Sequence, residues 1–261
     1  MKAASPGCRP GKFSKMEVFD VQLTEDQLKQ NLKDVQNRIA AACRRAGRDP
    51  QSVKLLAVSK TKTAGDIRTL MSAGQHAFGE NYVQELRQKY EELGGSVEWH
   101  LIGHLQRNKV KYIVDKVSMI HSVDTLKLAE QIEKEAARRD LTVDVLMEVN
   151  IARESTKWGF MAEDAPAAAR AVGAYPHLRL RGLMTSAPIV ENPEDNRVYF
   201  RGMRELAAEI AAQHCPNVQM DVLSMGMTQD YETAVEEGAT IVRVGTAIFG
   251  ARNYSAGPEV Q

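Results

Sequence analysis

Apolar residues recur at three- and four-residue spacing from Leu28 through Leu32, Val35 and Ile39 to Cys43, and Gly47 and Pro50 end the run. That period predicts a long amphipathic helix. Just before it, Thr24-Glu-Asp-Gln27 has the form of a capping box, which satisfies the free N–H groups of a helix start. Beyond residue 50 the pattern changes to short aliphatic runs at 54–60, 77–80, 99–103, 119–124, 144–150, 178–186, 222–226 and 241–246, each of strand length. Helical spacing returns between them: Ile67, Leu70, Met71; Val83, Leu86, Tyr90; Val110, Ile113; Leu128, Ile132, Ala136; Ala165, Ala168, Val172; Val198, Met203, Leu206, Ile210; and Thr233, Ala234.

Eight strands alternating with helices predict an α/β fold, a single (β/α)8 TIM barrel with an extra N-terminal helix, because each parallel pair needs a crossover connection. A doubly wound open sheet is the structural rival. It would normally carry a glycine-rich turn after its first strand, and Ser59-Lys60-Thr61-Lys62 has no glycine. No linker, repeat or low-complexity tract interrupts residues 17–252, which are expected to form the barrel. Residues 1–16 and 253–261 are expected to be tails. The first fifteen residues carry four positive charges and no acid, yet lack the apolar core of a secretory signal and contain helix-breaking Pro and Gly. Met16 is a candidate alternative start.

A length of 261 residues suits one barrel domain. With 34 Lys+Arg against 34 Asp+Glu, the chain has no net charge to give it a nucleic acid binder's electrostatic footprint. A small-molecule partner is the expectation. Cys8, Cys43 and Cys215 are scattered, without metal-ligand spacing, and point to reduced thiols in the cytoplasm. No apolar run approaches the roughly 18 to 20 residues of a spanning helix.

Lys60 ends the first apolar run. At the carboxyl end of a barrel strand it would stand on the rim where this fold builds its sites, and a desolvated amine there can attack an aldehyde. The plainer reading of a lone lysine is a snorkelling surface residue. The other predicted strand ends bring Asn81, His100, His104, Ser122, Asp124, Asn150, Thr185, Ser186, Ser224, Arg243 and Thr246 to the same rim. Ser224-Met-Gly226-Met-Thr228 and Arg243-Val-Gly245-Thr246 follow strands seven and eight, where free N–H groups at a helix start commonly hold phosphate in this fold. Tight packing at barrel closure would also explain these glycines. An amine and a phosphate cradle at one mouth are what pyridoxal 5'-phosphate requires.

The blocks Ala57-Val-Ser-Lys60, Phe78-Gly-Glu-Asn81, Trp99 to Lys109, His121-Ser-Val-Asp124, Val149-Asn150 with Lys157-Trp-Gly-Phe160, Arg181-Gly-Leu-Met184, Leu223-Ser-Met-Gly-Met227 and Arg243 to Gly250 closely resemble the pyridoxal phosphate homeostasis protein family. The resemblance covers nearly the whole chain after Met16 and implies a fold like the amino-terminal barrel of alanine racemase. It implies that Lys60 is the Schiff-base lysine and that Ser224, Gly245 and Thr246 hold the phosphate. Arg243 would approach the pyridine nitrogen, Asn81 would lie near the ring, and Met225 and Gly226 would support the phosphate loop. The implied function is a regulatory carrier that holds the cofactor and passes it to apoenzymes, acting as a monomer and not as an enzyme. A racemase using the same lysine is the rival reading. An aldolase barrel whose Lys60 attacks a sugar ketone is a third.

Other groups keep plainer readings. His100 and His104 stand four apart, but on a strand end, without a third metal ligand. Arg107-Asn-Lys-Val-Lys111 reads as a solvated helix start with some capacity for an anion, Trp158 and Phe160 as rim packing, and Tyr82 as helix packing. The chain ends about ten residues after the Phe249-Gly250 that closes its eighth strand, so the carboxyl-terminal domain that supplies a racemase's second base is not expected.

Overall fold

A computed structural model of the chain describes residues 23–250. The predicted tails, together with residues 17–22 and 251–252, lie outside the described residues. Eight parallel strands close into one barrel in sequence order: β1 Lys54–Val58, β2 Ala77–Glu80, β3 Glu98–Leu101, β4 Met119–Val123, β5 Val143–Glu148, β6 Leu178–Met184, β7 Val218–Ser224 and β8 Ile241–Val244. The helices are α1 Glu25–Arg45, α2 Ala64–Ser72, α3 Val83–Leu93, α4 Leu126–Ala137, α5 Ala165–Gly173, α6 Arg197–Ala211, α7 Tyr231–Glu236 and α8 Thr246–Phe249.

The capping box of α1 forms as its sequence prescribes: Gln27 N–H donates to Thr24 Oγ1 at 3.2 Å, and Thr24 N–H donates to Gln27 Oε1 at 2.8 Å. The apolar stripe Leu28, Leu32, Val35, Ile39 and Cys43 is buried. Between β3 and β4 the expected α-helix is instead a 3₁₀ run, Arg107–Tyr112. Val110 and Ile113 stand three apart, which suits three residues per turn as well as it suits an α-helix. β7 begins four residues before the predicted run, because its first half alternates polar and apolar residues at the open end of the barrel.

Alternation along the strands divides two cores. Leu56, Ala77, Met119, Leu146, Met184, Val222 and Ile241 fill the barrel interior, while a larger apolar shell packs strands against helices. The register of β6 shifts on both of its edges, between Val145 and Leu146 of β5 and between Leu180 and Gly182 facing β7. At that irregularity β7 approaches so closely that a Cβ on Gly182 would lie 1.8 Å from the Val222 carbonyl oxygen. Gly182→Ala should therefore force β6 and β7 apart and cost about 2 kcal/mol or more of stability, as overpacked cores do. Chemical denaturation checks this, and a midpoint unchanged from the parent would contradict the close approach.

Candidate cofactor site at the barrel mouth

Two residues past β1, Lys60 sits in a turn closed by Lys62 N–H donating to Ser59 O at 3.0 Å. The third residue of the turn, Thr61, has φ of +64°, a left-handed conformation that such turns ordinarily give to glycine. A β-branched residue there is strained, and neighbouring bonds hold it. Thr61 N–H donates to Glu85 Oε2 at 2.7 Å. Ser59 Oγ–H donates to Glu80 Oε1 at 2.6 Å, and the buried Lys89 ammonium donates to Ser59 O at 2.8 Å, Glu80 Oε1 at 2.7 Å and Glu85 Oε2 at 3.2 Å. The residues on either side of Lys60 are thus fastened to β2 and α3. After the turn, Thr63 and Asp66 form the capping box that starts α2.

Lys60 faces a cavity of about 420 Å³ at the carboxyl end of the barrel. Asn81, Arg243, Gly245 and Thr246 share that lining, as do Lys62, Ser186 and the loop Met227-Thr228-Gln229-Asp230. Sequence separation is large, but β1 pairs with β8 in the register Lys54↔Ile241 to Ala57↔Val244, which sets Lys60 beside the Gly245-Thr246 helix start. The first N–H groups of α8 have no partner within the helix. Its carboxyl end is held by Asn31, which donates to Ile248 O at 3.0 Å, and by Lys62, which donates to Phe249 O at 3.1 Å.

Three predicted residues lie outside this lining. Ser224 is fully buried, and its hydroxyl accepts from Arg243 Nη1 at 2.8 Å and meets His121 Nδ1 at 3.0 Å. Ser224 thus lies beneath the lining of the mouth, its hydroxyl bonded on one side to Arg243 and on the other to His121. Met225 is fully buried and Gly226 has φ of +87°. A Cβ on Gly226 would lie 2.6 Å from Ala234 Cβ, so only glycine lets α7 pack this closely under the loop.

Arg243 Nη1 also donates to Ser224 O, and Nη2 to Thr185 O, each at 2.8 Å. These bonds leave part of its five-donor fork for a group in the cavity. Burial pushes its guanidinium down to about 10, so it stays charged at neutral pH. Glu148, the last residue of β5, is pushed up to about 7 by burial and by the nearby Asp124 carboxylate, against the pull of Arg243. Glu148, Glu80, Glu85 and Lys89 were not among the candidates from sequence. A charged residue within Val145-Leu-Met-Glu-Val-Asn150 was the signal for Glu148, whereas Glu85 and Lys89 read as an ordinary exposed i,i+4 pair.

The remaining candidates disperse. His100 faces the barrel interior, while His104 bonds Asp124 at 2.8 Å and stacks on Trp158 with ring centroids 4.2 Å apart. Trp158 is 59% exposed but packs on the rim through that stack, whereas Tyr82, expected to pack against a helix, is 56% exposed. Arg107 and Lys111 line a wider open groove of about 870 Å³ together with Trp158.

A lysine amine, a buried guanidinium and a helix start around one closed mouth define a (β/α)8 barrel suited to a phosphorylated carbonyl compound. A family model described as alanine racemase, N-terminal domain, matches residues 25–253. A pyridoxal phosphate homeostasis protein of Aquifex aeolicus is 47% identical over 226 residues, covering 86% of this chain and 98% of the relative. One of Haemophilus influenzae is 42% identical over 231 residues, covering 87% and 97%. The chain belongs to the pyridoxal phosphate homeostasis protein family, within the alanine racemase N-terminal domain fold. Among solved structures it is similar to PipY of Synechococcus elongatus with PLP bound, at 34% identity and a TM-score of 0.74, covering 85% of this chain and all of the other. Alanine racemase from Corynebacterium glutamicum, at 18% identity and a TM-score of 0.69, shares the fold over 88% of this chain and 63% of its own.

Glu148 gives a pH prediction for the cofactor-free protein. Its folded pKa lies above the unfolded value, so between pH 4.5 and about 7 the folded state holds the extra proton and stability falls as pH rises. At 1.36 kcal/mol per unit, a rise from 4.5 to about 7 amounts to about 3 kcal/mol. Glu148→Gln should flatten that slope and be the more stable protein at pH 8. Equal slopes in parent and variant would refute the assignment.

Proposed function

We propose that this chain binds pyridoxal 5'-phosphate through Lys60, holds it as an intracellular reserve in the cytoplasm, and releases it to apoenzymes, acting as a monomer. The observation that carries the reading is the meeting of the Lys60 amine, Arg243 and the α8 start around one cavity of about 420 Å³. This size and donor set fit a small phosphorylated ring. The cofactor supplies an aldehyde for the amine and a phosphate dianion for the cradle. Lys60 is the covalent anchor, and Gly245 N–H, Thr246 and the Thr228 loop hold the phosphate against the positive end of α8. Met225 and Gly226 shape that loop from below, and Asn81 flanks the ring. Relatives with this sequence pattern are named for homeostasis of the same cofactor.

Arg243 sets the chemical limit. Its positive charge opposes protonation of a ring nitrogen placed against it, which weakens the ring as an electron sink. Racemisation also needs a base on each face of the substrate carbon. Lys60 serves one face, and Tyr82, exposed at the start of α3, does not line the cavity. Handover draws support from the exposed apolar residues Leu126, Trp158, Met161 and Ile189, all on segments that follow strand ends on the same face as the mouth. Ile189, 87% exposed, lines the mouth itself. Among the described residues no helix is long and apolar enough to cross a membrane.

Lys60→Ala should fold normally and lose the visible absorbance of the cofactor-loaded protein; an unchanged spectrum would sink the anchor. Thr246→Val should weaken cofactor retention by about ten- to a hundredfold, the worth of a hydrogen bond to a charged group. The carrier reading itself is tested by incubating loaded protein with several L-amino acids and, separately, with an apoenzyme. Transfer of cofactor is expected, with no racemisation approaching the enzymatic range of about 1 per second. Racemisation at that rate would make the chain an enzyme.

A further inference from the structure

Behind the mouth, a file of polar side chains crosses the barrel interior through otherwise apolar surroundings. Arg243 of β8 bonds Ser224 of β7, Ser224 Oγ bonds His121 Nδ1 at 3.0 Å, His121 Nε2 bonds His100 Nδ1 at 2.8 Å, and His100 Nε2 bonds Glu98 Oε1 at 3.1 Å. The file ends at the opposite, amino-terminal end of the barrel, where Lys54 Nζ donates to the same Glu98 oxygen at 2.5 Å.

The direction of every bond in the file follows from the donors available. Arg243 has no lone pair to offer, so it donates to Ser224 Oγ, and the hydroxyl proton is left for His121 Nδ1. His121 then carries its proton on Nε2 and donates to His100 Nδ1, and His100 donates from Nε2 to the Glu98 carboxylate. The reverse order would leave the bare Nε2 lone pair of His100 facing an ionised carboxylate. Glu98 is held ionised down to about 2, first by its bond from His100 and then by Lys54. A file with one cationic donor, Arg243, at one end and a carboxylate, itself held by Lys54, at the other has one arrangement that satisfies every member. Burial lowers the pKa of both imidazoles, which keeps the pair neutral.

We propose that His121 and His100 are positioning residues: a one-way hydrogen-bond file anchored on Glu98 and Lys54 holds Ser224, and through it aims the Arg243 guanidinium into the cofactor mouth. Neither histidine lines the cavity. The part concerning the cofactor rests on the function proposed above; the tautomers do not. Without the file, the Ser224 hydroxyl would lose its acceptor deep in the barrel and be free to turn away from Arg243, leaving the two carbonyls as the fixed partners of the guanidinium.

Two measurements test this. In cofactor-free protein labelled with ¹⁵N-histidine, the shifts of His100 and His121 should show bare Nδ1 and protonated Nε2 on both rings. Protonated Nδ1 on either ring would overturn the file, whatever becomes of the cofactor reading. In the second measurement, His121→Phe keeps the volume but cuts the file, and it should weaken pyridoxal phosphate binding by about tenfold. His121→Asn, whose amide oxygen can accept from Ser224, should recover most of the loss. In an Arg243→Lys background the His121→Phe effect should largely vanish, because its route runs through the arginine. Full additivity, or no change in affinity, would overturn the positioning role. Should His121→Phe fail to fold, Glu98→Ala at the solvent-facing end carries the same test. It should weaken cofactor binding from the far end of the barrel, and unchanged affinity in that variant would equally refute the proposal.

Discussion

The pairing of β1 with β8 is the constraint on which the site depends. Lys60 and Thr246 are far apart along the chain, one in the turn after β1 and the other at the start of the short helix α8. The parallel register from Lys54↔Ile241 to Ala57↔Val244 closes the barrel and leaves both segments leaving it at the same end. An open sheet of the same strands would put the first and last strands at opposite edges. Closure therefore brings an amine to a helix start, and it also removes the two unpaired edges that an open parallel sheet would expose.

A second cost and return concerns buried charge. Lys89 and Glu80 lie almost wholly out of water, and desolvation is the largest influence raising the Glu80 carboxyl. Burying such a pair is a poor way to gain stability, since desolvation offsets much of the attraction. The pair fixes geometry: Ser59 and Thr61, on either side of Lys60, are bonded to Glu80, Glu85 and Lys89. Arg243 follows the same logic, with two backbone carbonyls and one hydroxyl locking a guanidinium that solvent barely reaches. Around the mouth, rigidity is supplied by charged groups in the interior, while the outer lips carry exposed apolar residues.

This division suits holding a cofactor better than transforming a substrate. The mouth brings the Lys60 amine and the Arg243 guanidinium to one cavity, and in the reading proposed above that cation stands where strong electron-sink chemistry would want an acid. Among the described residues, its lip carries the exposed apolar side chain of Ile189.

Periodicity was enough to place eight strands, their alternation with helices and the capped first helix, because burial imposes a period of two or 3.6 wherever one face meets a core. Lys60, Gly245 and Thr246 were legible for a related reason: they end apolar runs, and a strand end in a parallel barrel has one destination. Tertiary structure alone decided what lies between these ends. Ser224 points beneath the mouth because β7 ends there with Arg243 and His121 as neighbours, both distant in sequence. Glu85 and Lys89 resemble a surface pair until α3 is seen pressing Lys89 onto β2. His100 and His104 look like partners by spacing, yet the end of β3 between them sends one ring into the barrel and the other to the rim. Local patterns carry information about which face is buried; which buried groups meet is set by closure of the ring, and no local window contains it.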